Sequence, residues 1–122
     1  MRIFKHKTFH QWAKKEKLAD SMLIQAIEEI SQGLVDASLG SGLYKKRIAM
    51  PGQGKRGSYR TLLAFKTHDK AFFLYGFCKN QKDNIDENEK KIYKKLAIDL
   101  LTIDEQTIKV LINTRILFEV EP

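Results

Sequence analysis

Residues 43–82 read LYKKRIAMPGQGKRGSYRTLLAFKTHDKAFFLYGFCKNQK, and this stretch decides the fold. Positions 59–66 and 71–78 are apolar almost throughout, which predicts two central strands covered by helices on at least one face. A tight turn at Thr67-His68-Asp69-Lys70 joins them. Upstream, Tyr44, Lys46 and Ile48 alternate with Leu43, Lys45, Arg47 and Ala49, the pattern of a third strand with one semi-apolar face. Between these strands MPGQGKRGS places Pro51 and three glycines within seven residues, so it is a loop. Short connections between consecutive strands predict an antiparallel meander. The segment holds ten of the 22 Lys and Arg but only one of the 15 acids, Asp69. It is therefore about +9 in a chain of net charge +7, with the remainder about −2. Charge concentrated in this way suits a polyphosphate partner, because each cation neutralises a phosphate and releases counterions.

The rest of the chain frames this segment. Its 122 residues, 43% hydrophobic and 30% charged, predict one soluble domain rather than a disordered chain. The longest apolar run, AFFLYGFC, is far too short for a membrane span. No secretion signal is read at MRIFKHKTFHQW, and the single cysteine, Cys78, cannot form an internal disulfide. Both fit a reducing, cytoplasmic setting. Residues 1–4 are an edge strand or a lead-in. Thr8 with Gln11 predicts a capped helix start with Phe9, Trp12 and Ala13 inside. A second helix is expected from Asp20, burying Leu23, Ile24, Ile27 and Ile30 and stopping at Gly33. The short Leu18-Ala19 link predicts an antiparallel helix pair. Asp86 with Glu89 opens a third helix whose inner face is Ile92, Tyr93, Leu96 and Leu100. Thr102 with Glu105 opens a fourth, with Ile108, Leu111 and Ile112 inside. The tail at 115–120 is a strand or a docked extension.

GQGKRGSYR at 52–60 and YGFCKN at 75–80 together fit the pattern G-x-G-K-x-G-x-x-R followed by Y-G-F-x-K-N. With this pattern the chain resembles the RelE/ParE superfamily of toxins from type II toxin–antitoxin modules, most closely its RelE/HigB-like branch. The resemblance covers residues 8–102; residues 103–122 extend beyond the family's compact pattern. It implies an α+β fold, a small curved antiparallel sheet of three to four strands packed against an N-terminal helix pair and C-terminal helices. It implies a ribosome-dependent mRNA endoribonuclease and a cognate antitoxin, commonly a helix-turn-helix repressor. The ParE branch of the same fold, which inhibits DNA gyrase by binding, is the alternative, and a degenerate toxin or a generic RNA-binding module is a third.

Ribonucleases of this type drive a ribose 2′-OH onto the adjacent phosphate and need neither metal nor cofactor. They need a proton acceptor, cations for the phosphoryl oxygens and a donor for the leaving 5′-oxygen. A lysine crowded by other cations has a lowered pKa and becomes a better base. The resemblance assigns Arg60 to the scissile phosphate, which an arginine can grip bidentately. Lys55 and Arg56 in the glycine loop, and Lys79 after the last strand, complete the catalytic candidates. Asn80 supports Lys79, and Lys82 joins the RNA-binding group. Lys45 and Arg47 share one strand face and are placed in the RNA groove, while Lys46 points the other way. Tyr44 and Tyr59 are candidates for stacking on a base, with core packing as the alternative. Lys90, Lys91, Lys94 and Lys95 read as a wet helix face with a possible contact to ribosomal RNA. His6, His10 and His68 show no metal spacing, and Cys78 reads as a small buried hydrophobe.

Overall fold

The two apolar runs become neighbouring inner strands of a mixed sheet in a computed structural model that describes residues 1–50, 57–78 and 84–121. In chain order the elements are β1 (Arg2–His6), α1 (Lys7–Glu16), α2 (Asp20–Ser31), β2 (Ala37–Gly40), β3 (Leu43–Ala49), β4 (Ser58–Lys66), β5 (Lys70–Cys78), α3 (Glu87–Thr102), α4 (Glu105–Asn113) and β6 (Leu117–Glu119). Among the described residues the sheet has six strands in the order β2-β3-β4-β5-β1-β6. The β3-β4-β5 meander is antiparallel as its short turns require. The sheet exceeds the three to four strands expected, and it is mixed rather than antiparallel. β1 pairs parallel with β5, β6 pairs antiparallel with β1, and β2 pairs antiparallel with β3. The expected edge strand or lead-in at the N-terminus is therefore an inner strand, and the tail is the edge. Parallel pairing across most of the chain leaves no local sequence trace, so the sheet was underestimated.

Helices cover both faces. Phe9, Ala13, Leu23, Ile27 and Ile30 of α1 and α2 are buried against Leu63, Phe73 and Ile48. On the other face Ala97, Leu100 and Ile108 of α3 and α4 are buried against Leu62, Phe72, Leu74 and Leu43. The N-terminal helices do not form the expected hairpin: α1 packs over β1, β5 and β6, whereas α2 packs over β3. Each has its own stretch of apolar sheet to cover, and burial there replaces helix-on-helix contact. Ile92, expected inside, is exposed, and α3 instead turns Tyr93, Leu96, Leu101 and the buried Ala97 and Leu100 inward. Ile108 and Leu117 are fully buried, so the segment after Thr102 is part of the same core.

Local signals explain most boundaries. The Asp86–Glu89 capping box forms as read: the Glu89 N–H donates to Asp86 Oδ1 (2.8 Å) and the Asp86 N–H to Glu89 Oε1 (3.0 Å). The two threonine boxes do not. α1 is capped two residues earlier by His6, whose Nδ1 accepts from the Thr8 N–H (3.3 Å). Burial, with help from Lys7, lowers the His6 pKa, which favours the neutral ring this bond needs. α4 is capped by Asp104, which accepts from the Thr107 N–H (2.8 Å), because Thr102 is still the last residue of α3. β2 and β3 are joined by Ser41-Gly42, both at positive φ (59° and 80°), the geometry of a type I′ hairpin.

Within the β4–β5 ladder the register slips by one: Leu62 faces Tyr75 but Leu63 faces Phe73, leaving Leu74 as an extra residue. Upstream of this bulge Phe72 and Leu74 point to the α3/α4 layer; downstream Gly76 and Cys78 point to the α1/α2 layer.

At the far edge Arg2 clasps β6 and α4. It donates to Glu119 through Nε (2.9 Å) and Nη2 (3.0 Å), and through Nη1 to both oxygens of Glu105 (2.7 Å). The Arg2 hydrogen bond holds Glu119 below the ordinary glutamate range. A depressed carboxylate stabilises the fold above that range and loses the contribution as pH falls through it. Glu119→Gln is therefore expected to flatten the fall of Tm below about pH 5. The pair is partly exposed, so the cost near neutral pH is small, roughly 2–4 °C by thermal melt.

Candidate functional site

Directly paired residues of adjacent strands project to the same side of a sheet. Arg47 on β3 faces Arg60 on β4, which in turn faces Phe77 on β5. One step along, Lys45 faces Leu62, and Leu62 faces Tyr75. Leu62 belongs to the core under α3 and α4, so Lys45, Arg47, Arg60, Tyr75 and Phe77 share that side of the sheet.

Arg60 is half-buried, and its Nε is buried with no hydrogen-bond partner among the described residues. No carboxylate among the described residues pairs with it. Arg47 is mostly exposed and meets Asp36 only loosely, at 3.9 Å. Lys45 donates to Asn84 Oδ1 (3.2 Å), a neutral acceptor just before α3. Two arginines thus stand at directly paired positions with little neutralisation among the described residues, an arrangement that destabilises a strand pair. Coulomb's law gives roughly 1–3 kcal/mol of repulsion for unit charges ~6 Å apart at effective dielectric constants of ~20–60. An anion placed between them removes that repulsion and supplies acceptors to the orphaned Nε.

Aromatic rings flank the pair. Phe77 adjoins Arg60, Tyr75 lies against Phe77 (centroids 5.8 Å), and Tyr93 of α3 stacks on Tyr75 (5.3 Å, 28°). These are not the tyrosines picked out from sequence. Tyr44 and Tyr59 project to the opposite face, where Tyr44 meets Phe65 edge-on (5.9 Å). Tyr59 is buried there, donates to the Glu16 carbonyl (3.1 Å) and meets Trp12 edge-on (5.4 Å). Both therefore have the core packing that was the alternative reading. Tyr75 and Tyr93 were legible only with the register in hand, because the bulge shifts the alternation of β5.

Lys46 points away as expected and is buried, bonded to the Leu34 carbonyl (2.9 Å) and to Glu29 (2.7 Å), whose pKa this contact lowers. A hollow of about 180 Å3 lined by Met22, Gln25, Ala26, Glu29, Ile48 and Ala49 lies on that same side, away from Arg60. Cys78 is buried with its thiol against Glu16 (3.3 Å); burial first, then Glu16, pushes its pKa up to about 11. His10 stacks on Phe118 (3.8 Å), and His68 is exposed at the β4–β5 hairpin tip. No group of three or more His, Cys, Asp or Glu among the described residues is placed to hold a metal ion. None of the described helices is long and apolar enough to cross a membrane. Lys55, Arg56, Lys79, Asn80 and Lys82 lie outside the described residues.

Fold and charge together define a small α+β protein with an unneutralised arginine pair on one sheet face. A family model described as "RelE toxin of RelE / RelB toxin-antitoxin system" matches residues 1–120, and the chain belongs to that family. It is the toxin of a toxin–antitoxin module, with a cognate antitoxin as partner. The match takes in α4 and β6 as well as the motif-bearing strands.

Proposed function

We propose that this toxin is a ribosome-dependent endoribonuclease that cuts mRNA without a metal and so blocks translation in the cytoplasm. The observation that carries the reading is Arg60: half-buried, without a partner among the described residues, and paired across the strands with Arg47. In this reading Arg60 grips the scissile phosphate, and Arg47 and Lys45 hold the backbone beside it. The 2′-oxygen forms a bond to phosphorus, its proton passes to a base, and the P–O5′ bond breaks with a proton returned to the leaving oxygen. Negative charge on the phosphoryl oxygens grows as the new bond forms, so an arginine pair with no other anion binds the transition state better than the substrate. By the family resemblance the base and acid come from the Lys55, Arg56 and Lys79 group, with Asn80 and Lys82 beside them. Half-exposed Tyr75 and Tyr93 are suited to stack on a splayed base. The antitoxin, a helix-turn-helix protein of the kind associated with the HigB-like branch, opposes this site. Inducible expression followed by mapping of mRNA 5′ ends tests the reading. Cuts inside translated codons, absent when the antitoxin is co-expressed, are expected. Intact messages with broken chromosomes would instead select the gyrase-directed alternative.

A further inference from the structure

We infer that α3 carries a second stretch of the RNA-binding surface, in which Lys90 and Lys94 continue the line of Arg60, Arg47 and Lys45 and hold RNA backbone away from the cut. The inference rests on the nuclease reading for the identity of its ligand. Its structural basis is independent. The Lys94 side chain lies against β2, with Cε and Nζ each 3.3 Å from the position a Cβ on Gly40 would take. Any side chain at Gly40 would compete for the space of that amine. Lys90 is one helical turn earlier, half-buried like Lys94. Neither has a carboxylate partner among the described residues, whereas Lys95 on the outer side is paired with Asp99 (3.0 Å). Lys45 reaches Asn84, two residues before the Asp86 cap of α3, so the sheet cations meet the helix where it begins.

Within the sheet and within α3 the cations follow one another in short steps, and the Lys45–Asn84 contact brings the two groups to the start of the helix. Arg60 to Arg47 is a cross-strand step of ~5 Å. Arg47 to Lys45 is two residues along a strand, ~7 Å, and Lys90 to Lys94 is one turn, ~6 Å. An extended RNA strand offers one permanent charge per nucleotide at comparable intervals, so successive phosphates can meet successive cations. Like charges at i, i+4 weaken an isolated helix, and among the described residues no ion pair to either lysine offsets it.

The test uses the full chain and a short single-stranded 2′-O-methyl RNA, which binds but cannot be cut. Binding is measured against salt for the parent, for Lys90→Gln/Lys94→Gln, and for Lys14→Gln/Lys15→Gln on α1, which removes the same charge from the opposite face. The α3 variant is expected to lose about tenfold in affinity at low salt, and its log–log salt slope to shrink by about 1.4. The α1 variant should keep the parent slope, and the α3 variant should melt no lower than the parent. An unchanged slope in the α3 variant, or an equal loss in the α1 variant, overturns the proposal. So does an α3 variant that binds RNA normally but releases the antitoxin, since an acidic protein segment would then be the occupant. If the slope is unchanged while Arg60→Ala still abolishes cleavage, the α3 surface falls and the nuclease reading stands. If the parent itself binds no RNA, the α3 surface falls, and the mapping of mRNA 5′ ends decides the nuclease reading separately.

Discussion

Arg60→Ala is expected to abolish mRNA cleavage and growth arrest while leaving the fold intact. Removing one positioned group that stabilises a developing charge costs ~10²–10³-fold in rate, and Arg60 is the only half-buried, unpartnered arginine on the α3 face among the described residues. Stability should move the other way. The side chain makes no hydrogen bond or ion pair within the described protein and stands opposite Arg47, so its loss relieves repulsion. The expected signature is an inactive protein whose Tm is unchanged or slightly raised, a combination that a merely structural arginine would not give. Arg60→Lys should recover only part of the activity, because an ammonium keeps the charge but not the two-pronged grip. Primer-extension assays on ribosome-bound message, with thermal melts of each variant, decide the matter. Full cleavage by a folded Arg60→Ala protein would remove Arg60 from the site.

Gly76→Ala is expected to have the largest effect on stability. A Cβ at this position would lie 2.2, 2.3 and 2.7 Å from three ring carbons of Trp12. The indole cannot swing away cheaply, since it is already packed against Phe9 (5.4 Å) and edge-on to Tyr59 (5.4 Å). Overpacking against a rigid ring costs about 3 kcal/mol, which for a chain of this size is a fall in Tm of roughly 10–15 °C. Trp12→Leu in the same chain should restore part of the loss, giving a positive coupling in a double-mutant cycle. An unshifted melting curve for Gly76→Ala would mean that the indole is not held there. The glycine of the Y-G-F-x-K-N motif is thereby explained by packing: it is where α1 settles onto β5.

Much of the architecture was legible because its causes are local. Two nearly continuous apolar runs read as central strands, and Asp86 with Glu89 read as a helix start, because burial and capping leave their marks within a few residues. The outer sheet was not legible. β1 and β6 owe their places to partners far away in sequence, and β2 was passed over although Ser41-Gly42 between it and Leu43 carries a hairpin signal. Helix starts were misplaced where a histidine or a later aspartate capped in place of the expected threonine. For the site, strand alternation correctly set Lys45 and Arg47 apart from Lys46. The same alternation puts Tyr44 on the face of Lys46 and Tyr59 opposite in parity to Arg60, so neither belongs with the cations, while Tyr75 was hidden by the change of parity in β5 at Leu74.

That inserted leucine divides the labour of one strand. Before it, β5 feeds phenylalanines to both apolar layers; after it, the same strand sets Tyr75 and Phe77 beside the arginines and Gly76 beneath the indole. Drawing Leu74 into the ladder opposite Leu62 would therefore act as a frame error in three dimensions, turning the aromatic rings toward α1 and the glycine toward the cations. A chain repaired in this way to a regular ladder would have lost both the seat of α1 and the neighbours of Arg60 at a single stroke.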